Sequence, residues 1–74
     1  MAPIHPQDLT FAALADAQRI RVTDGVNSQV VWENPRNVPG QEILVDLPDL
    51  EEPRVRSLRR QVSLLLLSGR KPIP

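Results

Sequence analysis

Side chains able to do nucleophilic, acid–base or metal chemistry are few in this chain and badly placed for it. There is one histidine, His5, and no cysteine. Nucleophilic catalysis needs an activated nucleophile held beside a base. His5 stands between Ile4 and Pro6 near the N-terminus, where nothing in the sequence fixes its geometry. Without cysteine, zinc would have to take nearly all its ligands from carboxylates, an unusual donor set. Carboxylate pairs occur at Asp46/Asp49 and Glu51/Glu52. General acid–base work requires one such carboxyl in a dry pocket with a raised pKa, and a chain of 74 residues has little room for that pocket. The pairs read instead as acids leading into a helix. Gly25, Gly40 and Gly69 are dispersed, so no loop is built to cradle phosphate. The expectation is a protein that is not an enzyme, with no catalytic residue, metal or cofactor.

What the chain does carry is a separation of charge. Up to Glu52 it holds Arg19, Arg21 and Arg36 against all nine acids, a net −6. From Pro53 onward it holds Arg54, Arg56, Arg59, Arg60, Arg70 and Lys71 with no acid, a net +6. The formal total of zero therefore conceals a dipolar molecule, whose field orients a partner before contact. No apolar run approaches the roughly 20 residues that span a bilayer, and the start of the chain has neither a basic nor an apolar signal region. A cytoplasmic protein with no membrane association is expected, in keeping with the absence of cysteine.

These residues must be positioned by few elements. Residues 1–18, with Pro3 and Pro6, read as an arm or a short helix over Thr10 to Ala17 capped by Asp8. Arg19 to Thr23 alternates basic and apolar residues and reads as a half-buried strand. Asp24-Gly25 signals a turn. A five-residue loop, Asp24 to Ser28, pairs Val22 with Val30, Ile20 with Trp32 and Arg19 with Glu33, which keeps apolar partners on one face. A three-residue loop has the same parity. Asn34 to Gln41 is a proline-containing loop, and Glu42 to Leu47 alternates again as a third strand. A helix is expected from about Pro53 to Ser68, preceded by an Asp49–Glu52 turn and stopped by Gly69. Together these predict an α+β fold, a small three-stranded antiparallel sheet packed by one C-terminal helix. A single domain spans 19–68, and 69–74 form a basic, proline-containing tail.

At ~100° per residue, Val55, Leu58, Val62, Leu65 and Leu66 share one stripe of this helix, the core face. Arg56, Arg60 and, if the helix passes Gly69, Lys71 fall on the far side, and Leu64 and Leu67 lie among them. Arginine and apolar side chains together suit a protein interface. The candidate partner-binding residues are therefore Arg56, Arg60, Leu64, Leu67, Arg70 and Lys71, with Ile4, Leu9 and Phe11 of the arm as a second surface. The alternatives are that Leu64 and Leu67 are buried within the fold, that they pair across a two-fold axis in self-association, or that they pack on a membrane surface. Trp32, the sole tryptophan, reads as a core residue facing inward with Ile20.

The function this supports is a small non-enzymatic regulator that docks on a larger protein machine and alters it sterically or allosterically. Size, dipolar charge and the lack of catalytic apparatus are those of small phage-encoded regulators, for which host RNA polymerase is a common target; that expectation rests on class frequency alone. The alternatives are a structural or assembly subunit, and a nucleic-acid binder using the basic helix. Against the last, the sequence pI is about 6.5 rather than strongly basic, and Phe11 and Trp32 are too few aromatics for a base-stacking platform.

Overall fold

A computed structural model describes residues 2–36 and 39–70, with Arg70 described in its backbone only. In chain order it contains a single 3-10 turn (Pro6–Asp8), helix α1 (Phe11–Asp16), strands β1 (Ala17–Thr23), β2 (Ser28–Glu33) and β3 (Gln41–Asp46), and helix α2 (Glu52–Arg70). One α+β layer pair results, a three-stranded sheet with α2 packed on one face. Among the described residues no helix is long and apolar enough to cross a membrane.

The sheet is mixed, and the expectation of purely antiparallel strands is corrected. Its order is β2-β1-β3. β1 pairs with β2 antiparallel and with β3 parallel, Ile20 beside Ile43 and Val22 beside Val45. The reason lies in the connection. β2 ends next to the start of β1, where the Asn34 N–H donates to the Gln18 carbonyl at 2.9 Å. β3 lies on the opposite edge of β1 from β2, two strand spacings or ~10 Å away, a step that the seven residues between Glu33 and Gln41 are long enough to make. β3 thus begins where β1 begins and must run alongside it. The approach to β3 is close at Gly40. A Cβ on Gly40 would collide with the Asp16 carbonyl oxygen, so the chain passes there only as glycine.

Turn chemistry also overrides the expected register. Asp24 caps its own turn, accepting from the N–H groups of Val26 at 2.9 Å and Asn27 at 2.7 Å. Backbone hydrogen bonding of Asp24 to Asn27 closes a loop of four residues, which sets Val22 opposite Gln29 rather than Val30. A bulge at Val31 then restores the other parity, so Ile20 faces Trp32 and Arg19 faces Glu33 as the alternation requires. Two adjacent residues on the bulged strand consequently serve the core: Val31 is buried and Trp32 packs against it half-buried.

The N-terminal residues belong to the fold. Leu9, expected on the docking surface of the arm, is instead buried, and with Leu14 it sits in the hydrophobic core beside Ile20, Val22, Val45, Leu47, Val55, Leu58 and Val62. Thr10, not Asp8, caps α1, its hydroxyl accepting from the Ala13 N–H at 3.2 Å. Ile4 forms a parallel bridge on the outer edge of β3, and Gln61 ties the arm to α2 by donating to the Pro6 carbonyl at 2.6 Å. α2 buries Val55, Leu58 and Val62, at 3.6-residue spacing. Each is worth ~1.5–3 kcal/mol of transfer energy.

α2 does not stop at Gly69 but runs through it to Arg70. By rotation about the axis Gly69 falls beside Leu58 and Val62, on the inner side. There a Cβ would strike the Phe11 ring. The glycine admits an aromatic side chain of α1 against the helix instead of ending the helix.

Candidate interaction surface

The inner stripe of α2 is consumed by the core, so its opposite face meets solvent. Leu64 is 60% exposed and Leu67 64%. Arg56 and Arg60, also exposed, share this face, and from Arg56 to Leu67 the ridge extends ~17 Å at 1.5 Å per residue. Alongside runs a shallow trough of about 440 Å³ lined by Arg60, Gln61, Leu64, Leu65 and the hydroxyl-bearing Ser57 and Ser68.

The arginines of α2 divide by what they already hold. Arg54 lies 3.6 Å from Asp49. Arg59 donates its Nε–H to the Val31 carbonyl at 3.0 Å and lies 3.9 Å from Glu52. It thereby satisfies a backbone group at the β2 bulge. Among the described residues no carboxylate pairs with Arg56 or Arg60. The side chain of Arg70 and the whole of Lys71, both expected in this surface, lie outside the described residues.

The arm residues Ile4 and Phe11 have other surroundings. Ile4 is half-buried and packs against the core, its backbone donating to Leu44 at 2.9 Å and accepting from Asp46 at 2.8 Å. It is a sheet-edge residue, separate from the α2 ridge. Phe11, 36% exposed, lies on α2 at Gly69 and faces a small pocket with Trp32 and Leu66.

A further charged feature escaped the sequence reading. On the sheet face away from α2, Glu42 accepts from Arg21 Nε at 2.7 Å and Arg19 Nη1 at 3.4 Å. The hydrogen bond from Arg21 holds the Glu42 carboxyl below its ordinary range, with the charge of Arg21 and the contact from Arg19 acting in the same direction against desolvation. Alternation put Arg19 opposite Glu33, which the backbone register obeys. The guanidinium turns to β3 because the parallel pairing sets Glu42 beside Arg19, a neighbour invisible without the strand order. Asp24 is likewise lowered, by the N–H groups of Asn27 and Val26 that it caps.

Comparison with protein-family models, with curated proteins and with solved structures gives no match for this chain.

Proposed function

We propose that the protein is a small non-enzymatic interaction module that docks through the outer face of α2 on a larger protein. Leu64 and Leu67 enter an apolar groove while Arg56 and Arg60 meet an acidic rim. Occupation of that surface then alters the partner sterically or allosterically. The observation that carries the reading is the exposure of both leucines on a helix whose inner stripe already fills the core. Covering them contributes about 1–2 kcal/mol each by area. Steering falls to the unpaired arginines. Interleaved leucines favour a protein over nucleic acid, since a phosphate backbone gains nothing from them and two other arginines of α2 are already engaged. The non-enzymatic reading draws on where the titratable groups sit, at turns, the helix start and a surface ion pair. A cytoplasmic setting and a transcription-machinery partner such as RNA polymerase remain part of the proposal through composition and class frequency.

Affinity capture with the wild-type protein, Leu64→Glu/Leu67→Glu and Arg56→Glu/Arg60→Glu tests it. One partner retained by the wild type and lost by both variants is expected; a partner retained by both variants sinks the reading. An assembly subunit would instead show concentration-dependent association in light scattering. A nucleic-acid binder would show a salt-dependent mobility shift.

A further inference from the structure

The only two aromatic residues of the chain, Phe11 and Trp32, come from different elements and line the same pocket. Its volume is about 180 Å³, and Leu14, Ala15, Leu66, Asn34, Pro35 and Arg36 complete the wall. Leu14 is fully buried, whereas Trp32 and Leu66 are half-buried and Phe11 is partly open to solvent. An apolar cavity of roughly 150 Å³ accepts a benzene ring, so this one suits a single branched or aromatic side chain.

The polar end of the pocket is fixed before anything binds. Asn34 is the one buried polar residue among those described. Its Nδ2 donates to the carbonyls of Ala17 at 2.9 Å and Leu14 at 3.4 Å, and its Oδ1 accepts the Arg36 N–H at 3.0 Å. The amide thus ties the Pro35–Arg36 turn to the end of α1 and presents Arg36 at the mouth. Arg36 is exposed and pairs with no carboxylate among the described residues. Glu33, the nearest acid along the chain, follows Trp32 directly, and strand alternation sends it to the other face. Tryptophan and arginine around a preformed pocket are the composition of interface anchor points, and the charge at the rim selects an anion.

We propose that this pocket anchors one leucine-, isoleucine- or phenylalanine-sized side chain of an acidic segment in a partner protein, with Arg36 receiving the carboxylate next to it. The site uses none of the α2 ridge residues and stands whether or not that ridge is a docking surface.

Trp32, as the sole tryptophan, reports occupancy directly. The probes are blocked tripeptides titrated into the full chain, followed by Trp32 fluorescence and by amide and indole NMR shifts. Glutamyl-leucyl-aspartate should bind with a dissociation constant of order millimolar, as a fragment of that size does, moving the signals of Trp32, Ala15 and Arg36. Glutaminyl-leucyl-asparagine should bind about fivefold more weakly for want of the rim charge, and glutamyl-alanyl-aspartate should not bind. Arg36→Glu should abolish binding without changing the urea midpoint, because the side chain is exposed. Ala15→Leu should block the pocket with Arg36 intact, and Arg56→Glu/Arg60→Glu should leave binding unchanged. The inference is overturned if the three peptides behave alike, if no signal from Trp32 or Ala15 moves, or if Arg36→Glu and Ala15→Leu both retain binding. N-acetyl-leucine binding more tightly than the acidic tripeptide would overturn the protein segment as occupant and assign the pocket to a small carboxylate.

Discussion

Replacing Gly69 by alanine should have an effect whose sign depends on Phe11. In a helix, glycine to alanine ordinarily stabilises by about 0.5–1 kcal/mol through reduced backbone freedom. Here the added methyl would occupy the position of the Phe11 ring. That ring is 36% exposed, so about two-thirds of its burial energy, ~1–2 kcal/mol, is at stake if it is pushed into water. Gly69→Ala alone should therefore be neutral to destabilising by up to ~1.5 kcal/mol, while in a Phe11→Ala background it should stabilise by about 0.5–1 kcal/mol. The coupling of ~1–2 kcal/mol is large for a double-mutant cycle and amounts to several degrees in Tm for a domain of this size. Urea denaturation followed by far-UV circular dichroism measures all four proteins; an indole signal would be confounded because Trp32 lines the same pocket. Equal stabilisation by Gly69→Ala in both backgrounds would refute the seating of Phe11 on the helix, and with it the pocket wall.

Other consequences follow from single contacts. Asn34→Ala should cost about 1–3 kcal/mol in urea denaturation, since it removes three hydrogen bonds at a buried position. It should also loosen the Arg36 turn, seen as faster amide exchange at Arg36. Glu42 has a depressed folded pKa, so its contribution is complete above the ordinary carboxylate pKa of 4.5 and is lost as pH falls through the lower folded value. Glu42→Gln should flatten the acid limb of the stability–pH curve below about pH 4.5 and leave the alkaline side unchanged. Leu64→Glu and Leu67→Glu should each leave the urea midpoint within ~0.5 kcal/mol of wild type, because neither side chain packs in the core; a loss above ~2 kcal/mol would mean that they are buried.

Much of the local structure was legible in the residues. The spacing of Val55, Leu58 and Val62 specifies a one-sided helix whichever sheet it covers, and the face left over necessarily carries Leu64, Leu67, Arg56 and Arg60. Alternation with a five-residue loop pairs Ile20 with Trp32, and the structure reaches the same pair by a four-residue turn and a bulge. The four-residue turn was less accessible, because the side chain of Asp24 competes for backbone N–H groups that apolar periodicity does not count. Phe11 was singled out as a docking residue of a proline-flanked arm; its actual place, against Gly69, depends on a glycine that reads from sequence as a helix stop. Trp32 was assigned to the core and Arg36 to a loop, and neither spacing nor composition brings them together.

By itself, then, the sequence determined the element types, the inner and outer faces of the long helix and the segregation of acids from bases, because these depend on neighbours within a few positions along the chain. The tertiary structure alone decided the strand order, the parallel pairing that places Glu42 between Arg19 and Arg21, and the meeting of Phe11, Trp32 and Arg36. Those depend on which edge of β1 the chain joins after β2. A strand's alternation fixes which face it buries and leaves free which edge it joins and in which direction.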